Sequence, residues 1–169
     1  MSDLPDVIAA SESSASECFA DRPMAARDVA RGVTRLFYRL DLLALCEVPL
    51  GNNRRADMMA VGPKGELVIV EIKVSRADLL GDRKWEDYLG CCDRFFWAVP
   101  SGFALDPFVG CDRGPDCAGL IIADRYDAEI VREAPVRPLA APRRRAETLS
   151  FARRAARRLA GELDPALRA

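Results

Sequence analysis

The chain has 169 residues, half of them apolar and 30% charged, with a formal net charge of −1, enough for one globular domain with a proper core. It contains no histidine, which excludes Ser-His-Asp and Cys-His catalysis, His-ligated zinc and any histidine base. Hydrolytic chemistry here would have to run on carboxylates, Lys, Tyr and a hard metal ion.

Residues 1–21 carry Asp3, Asp6, Glu12, Glu17 and Asp21 and no Lys or Arg. Residues 1–23 are therefore expected to be a disordered acidic tail, leaving 24–169 as a single domain. This start lacks the basic and apolar segments of a secretory signal, and no apolar run is long enough to span a bilayer. A cytoplasmic location and no membrane partner are expected. From Met24 to Ala44, Val29, Val33, Leu36, Phe37, Leu40 and Leu43 recur at helical spacing. Arg27, Arg31, Arg35 and Arg39, each four apart, stack into one basic stripe. That stripe is either a solvated face relieved by acids such as Asp28 or a surface for a phosphate backbone.

Leu45 to Leu50 reads as a strand, and Gly51-Asn52-Asn53 as the turn into a second strand carrying Asp57. Arg54 and Arg55 flank that carboxylate. Gly62-Pro63-Lys64-Gly65 is a turn, and Glu66 to Val74 is a third strand ending in Glu71-Ile72-Lys73. Alternation puts Glu71 and Lys73 on one face. Asp57 falls opposite Val70 or, with one bulged residue, opposite Glu71. An isolated Glu-x-Lys is usually a solvated strand face. Here Leu67 and Ile69 share that face, so the strand reads as central and covered on both sides, where charges are costly unless paired or bound to metal.

Beyond Lys73, Ser75 and Asp78 suggest a short helical turn, and Asp82 can cap a helix to about Cys92 that carries Lys84 and Tyr88. Arg94 to Pro100 is an aromatic core strand, and Ser101 to Ala118 a loop. Gly119–Asp124 and Ala128–Glu133 form a hairpin, and a proline-rich linker leads to a final helix over about Arg143 to Leu163. Its residues Leu149, Ala152, Ala156, Leu159 and Leu163 form a narrow apolar seam, expected to pack on the domain or on a second copy in a homodimer. Residues 136–169 hold nine Arg against three acids. Arg153, Arg154, Arg157 and Arg158, with Arg31, Arg35, Arg54 and Arg55, are the expected DNA-binding set. The six cysteines, Cys91-Cys92, Cys111 and Cys117 among them, read as reduced and mostly buried, since short-spaced zinc sites usually enlist His.

An Asp on one strand followed by Glu-x-Lys on the next resembles the PD-(D/E)XK nuclease superfamily, with Arg55-Ala56-Asp57 standing where that pattern has Pro-Asp. The longer strings RRADMMAVGPKGELVIVEIKVSRADLLGDRKWEDYLGCCDRFFWAVP and GLIIADRYDAEIVR resemble the MmcB-like family of bacterial DNA repair proteins, which belongs to that superfamily. The resemblance runs from about Ala25 to Leu159. It implies an α/β, restriction-endonuclease-like fold: a central mixed β-sheet flanked by helices around an αβββαβ core. It further implies Mg²⁺ or Mn²⁺ on Asp57, Glu71 and the Ile72 carbonyl, with Glu47 as a further candidate ligand and Lys73 as the catalytic cation. Lys84 and Tyr88 match a supporting role by position alone. The implied partners are DNA and other repair proteins, and the implied reaction is phosphodiester hydrolysis. The competing expectation is a DNA-binding or adaptor module without catalysis.

Overall fold

The covered-strand pattern of Leu67–Ile72 sets the architecture: all six of these residues are buried, so the segment must lie inside a sheet with both faces packed. The structure, a computed structural model, describes residues 23–110, 113–114 and 116–167. The expected acidic tail lies outside these residues except for Pro23, as does Cys111. The element order is α1 (Ala26–Arg39), β1 (Leu43–Pro49), β2 (Arg55–Val61), β3 (Leu67–Ile72), α2 (Arg76–Gly81), β4 (Arg94–Pro100), β5 (Gly119–Ala123), β6 (Ala128–Arg132) and α3 (Ala141–Leu163). All six strands form one sheet in sequence order. β3–β4 and β4–β5 are parallel and the other three pairings antiparallel. The first six elements follow the expected αβββαβ order, and the fold is α/β with a mixed sheet flanked by helices.

α1 buries Val29, Gly32, Val33, Leu36 and Phe37 against Met58, Val70, Phe96 and Ile121 on one face of the sheet. A Cβ on Gly32 would lie 2.4 Å from the carbonyl oxygens of Asp124 and Asp127, so glycine is what lets the helix touch the β5–β6 turn. Asp28 accepts the Ala25 N–H at 3.0 Å, capping the helix start, and lies 3.5 Å from Arg125. The helix stops at Arg39 rather than Ala44 because Asp41 takes φ 58° and Leu43-Ala44 pair with Val61-Ala60.

The opposite face is aromatic. Phe95 and Trp97 of β4 meet edge to face at 5.0 Å, and Trp85 lies 5.7 Å from Phe95, so Arg94–Pro100 is a core strand as expected. The helix expected from Asp82 to Cys92 is instead a single 3₁₀ turn, Trp85–Tyr88. The α-helical turn comes earlier, at Arg76–Gly81, with the Ser75 hydroxyl accepting the Asp78 N–H. Asp82 sits in extended backbone and folds its carboxylate onto the Lys84 N–H at 2.9 Å, which ends helical propagation there.

The last helix does not turn its expected seam onto the domain. Leu149, Leu159 and Leu163 are exposed, while Glu147 and Gly161 are buried and Arg144, Phe151, Arg154 and Ala155 are half-buried. Polar docking decides the helix rotation. The buried Asp93 carboxylate accepts two 2.6 Å bonds from Arg144 and the N–H groups of Leu67 and Leu139 at 2.8 and 2.9 Å. One side chain thereby ties β3, the linker and α3 together. Burial alone would raise the Asp93 pKa, but Arg144 and the two amides outweigh it and hold the carboxyl below the usual aspartate range.

Removing one partner of a buried, hydrogen-bonded ion pair strands the other. Asp93→Ala is expected to cost about 3–5 kcal/mol in urea unfolding. Because the folded pKa lies below the ordinary 3.8, the contribution is complete above that pH and is lost as pH falls through the folded value. Asp93→Asn should therefore flatten the acid limb of the stability curve.

Candidate active site

Three consecutive residues at the end of β3 bring the charges together. The β2–β3 hairpin closes with Val61 opposite Leu67, using Gly65 at φ 78°. Its regular register pairs Met58 with Val70 and so carries Asp57 opposite Glu71, with no bulge needed. Each carboxylate then accepts a backbone N–H from the facing strand. The Asp57 N–H donates to Glu71 Oε1 at 3.2 Å, and the Ile72 N–H donates to Asp57 Oδ2 at 2.8 Å. Glu71 is 4% exposed. Burial first, then the Asp57 charge, pushes its carboxyl up to about 8. Burial also raises Asp57, partly countered by the Ile72 N–H and then by Lys73.

Lys73 is 6% exposed. Its ammonium lies 2.9 Å from Asp82, 3.8 Å from Glu71 and 3.9 Å from Asp78, and 5.7 Å from the centre of the Trp97 ring. Burial favours the neutral amine, but Asp82 and then Asp78 and Glu71 outweigh it and raise the pKa above the ordinary lysine value. Lys73 is thus a fixed cation and not a base. Asp78 and Asp82 are neighbours of the candidate site that sequence reasoning missed. Both were legible only as helix caps, and nothing in their spacing reveals that the turn after β3 folds back onto Lys73.

The strand pair is bent at the site. Glu47 holds φ 54° in the middle of β1, in the left-handed region that a side chain rarely adopts. Across from it, Ala56 packs on the aromatic side of the sheet and Met58 on the α1 side. An unbent strand would put these two residues on the same face, so the face reverses at Asp57. The Glu47 carboxylate is exposed and bound to Arg55 at 2.6 Å. Beside it, a cleft of about 430 Å³ is lined by Arg27, Ala30, Arg31 and Thr34 of α1 and by Glu47, Asp57 and Ile72.

Tyr88 is buried and donates to the Arg55 carbonyl at 3.1 Å. Burial, then the Glu71 and Asp57 charges, raises its pKa, so it lies beside the carboxylates as a neutral phenol. The Lys84 side chain is exposed, and only its backbone engages Asp82. The arginines divide. Arg35 donates to the Tyr126 carbonyl, Arg39 pairs with Asp127, and Arg54 pairs with Asp87. Arg158 donates to the Cys46 carbonyl. Arg31, Arg153 and Arg157 are exposed, and Arg154 is half-buried.

Among the described residues, no three His, Cys, Asp or Glu side chains gather as a metal cluster. Asp57 and Glu71 alone fit a hard cation in one respect: burial first, and then the adjoining half-buried Asp57 carboxylate, raise the Glu71 pKa. A divalent ion would relieve the repulsion between them, and Mg²⁺ commonly takes one or two carboxylates with water for the remainder.

A family model described as DNA repair protein MmcB-like matches residues 13–166. The chain belongs to the MmcB-like family of DNA repair proteins. Among solved structures, a protein of unknown function from Silicibacter pomeroyi is 42% identical, with a TM-score of 0.76 over 85% of this chain and 93% of that one. The two share their fold. No curated protein matches the chain. Membership in the MmcB-like family makes this a DNA repair protein, and no helix among the described residues is long and apolar enough to cross a membrane.

The raised Glu71 pKa has a cost in stability that can be measured. Between 4.5 and about 8 the folded state holds a proton that the unfolded state has released. The contribution of Glu71 is therefore full below the lower value and is lost as pH rises through the upper one. Without divalent ions, Glu71→Gln should stabilise the protein at pH 8 by about 1 kcal/mol or more, roughly 2–4 °C in Tm for a chain of this size. Thermal melts of both proteins across pH 5–9 would show the curves separating as pH rises.

Proposed function

We propose that this MmcB-like protein is a metal-dependent nuclease that hydrolyses DNA phosphodiester bonds at Asp57, Glu71 and Lys73. The observation that carries the reading is the pairing of two carboxylates, buried Glu71 and half-buried Asp57, each accepting a backbone N–H from the facing strand, beside a buried, charged lysine. Structural carboxylates are seldom left to repel each other in this way, whereas perturbed groups in a cleft mark functional sites. Asp57 and Glu71, with the Ile72 carbonyl, would hold Mg²⁺ or Mn²⁺, and Glu47 is placed to contribute if its bond to Arg55 opens. The bound ion supplies Lewis acidity toward phosphate and a lower pKa for water.

The protein's own part is electrostatic. Water adds to phosphorus, the P–O bond to the leaving sugar oxygen breaks, and that oxygen leaves with a proton. Negative charge builds on the phosphoryl oxygens meanwhile. Lys73, kept charged by Asp82 and steered by Asp78 and Trp97, is a preorganised donor for that charge. Tyr88 buttresses Glu71 from the aromatic side. Arg31, Arg153, Arg154 and Arg157 are the arginines best placed to meet DNA phosphates, because Arg35, Arg54, Arg55 and Arg158 already hold internal partners.

A second reading, a DNA-binding or adaptor module that docks other repair proteins, draws on one observation. The Lys73 ammonium is closer to Asp82 than to Glu71, as in a purely structural ion pair.

Labelled single-stranded, duplex, nicked and branched DNA should be cut by the wild type with Mg²⁺ or Mn²⁺. Lys73→Ala should lose on the order of 10²-fold or more in rate, as expected for one charge-stabilising donor, while Mg²⁺ still raises its Tm. Asp57→Asn should lose both cleavage and the Mg²⁺-dependent rise in Tm. Equal cleavage by wild type and Lys73→Ala would sink the assignment. No cleavage by either, with salt-sensitive DNA binding intact, would establish the binding module instead.

A further inference from the structure

The four-arginine stripe of α1 is split in two by its partners. Arg35 and Arg39 are spent on the β5–β6 turn, through the Tyr126 carbonyl and the Asp127 carboxylate. Arg27 and Arg31 are exposed and have no ion pair among the described residues. They stand over the cleft of about 430 Å³ beside Asp57. Like charges four apart on a helix repel, and an anion between them would remove that repulsion.

The cleft's remaining lining is small and largely apolar: Ala26, Ala30, Thr34, Cys46 and Ile72. Its one nearby acid on β1, Glu47, is neutralised by Arg55. A cationic rim over an apolar floor, at the small end of ligand-site volumes, suits one nucleoside with its phosphate. It does not suit a stacked base pair, which brings two sugars and two backbones. Asp57 and Ile72 belong both to this cleft and to the carboxylate site, and Glu71 lies behind them, 4% exposed. A phosphate reaching the carboxylates must therefore descend into the cleft and take its nucleoside along. A flexible single strand can do this, whereas a duplex must first unpair the nucleotide.

We infer that the cleft between α1 and the bend of β1 is a nucleotide subsite for an unpaired residue of single-stranded DNA, with Arg27 and Arg31 holding its phosphates and Ala26, Ala30 and Ile72 its sugar and base. This rests on the nuclease reading for the identity of the ligand, but the site itself is tested by binding alone. Among the described residues no aromatic side chain lines the cleft, so discrimination among the four bases is expected to be weak.

The test is fluorescence anisotropy with a labelled single-stranded oligonucleotide and its blunt duplex. Wild-type protein is used in EDTA, and Lys73→Ala with Mg²⁺. The single strand should bind about 10-fold more tightly or better, because only the duplex must first unpair a nucleotide at a cost of a few kcal/mol. Ala30→Trp, which fills the cleft, should remove most of that preference. Thr34→Trp, at a more exposed position on the same wall, serves if the first variant melts early. Arg31→Ala should weaken single-strand binding and lower the salt slope by roughly one counterion. Equal or tighter duplex binding, no binding of either DNA, or single-strand binding indifferent to both tryptophans would overturn the inference. Cleft-dependent binding without any cleavage would instead remove the nuclease reading and keep the subsite. Cleavage without single-strand preference would do the reverse.

Discussion

A carboxyl group and an ammonium are buried at the end of a central strand beside a half-buried aspartate, and much of the structure serves to make that tolerable. Glu71 and Lys73 are each less than a tenth exposed, in surroundings where an unpaired charge would lose its hydration without compensation. The lysine is satisfied by acids brought in from α2 and the turn after it. The glutamate is satisfied by the Asp57 amide, by the more distant Lys73 ammonium and by a raised pKa. The hairpin register, the reversal of face at Asp57 and the left-handed Glu47 all meet at this point. A fold optimised for stability alone would place Leu or Val here. The residual repulsion is what the proposed metal ion would relieve.

The parts of this arrangement that were legible in the sequence rest on periodicity. Alternation from Leu67 to Lys73 placed Glu71 and Lys73 on one face, and the apolar run before them marked β3 as doubly covered. Composition made β4 a core strand. The turn signals at Gly51-Asn52-Asn53 and Gly62-Pro63-Lys64-Gly65 bounded β2. Register was less secure, because the length of the hairpin loop decides it: Val61 opposite Leu67 leaves five residues in the turn and brings Asp57 beside Glu71 where the regular pairing ends.

What was not legible depends on which partner a polar side chain selects across space. Asp82 has the local chemistry of a helix cap, and it is a tertiary contact with Lys73 that gives it another role. The outward rotation of Leu149, Leu159 and Leu163 is a similar case. Apolar spacing alone would turn them inward, but Arg144 binding Asp93 and Arg158 binding the Cys46 carbonyl fix the helix the other way round. The arginines show the same limit. Arg31 and Arg35 are indistinguishable by spacing, yet one is held by the Tyr126 carbonyl and the other faces the cleft.

The bond from Arg158 to the Cys46 carbonyl has a consequence for the molecule's behaviour in a crowded cell. β1 is the edge of the sheet, and an edge strand offers its unpaired backbone to any extended chain that comes alongside. Here the bend at Glu47 breaks the flat run, and the guanidinium of a distant helix occupies acceptor positions at Cys46 and Glu47. The final helix therefore also works as a guard rail for the sheet. A chain that lost it would expose a sticky margin, and self-association by strand addition would compete with folding.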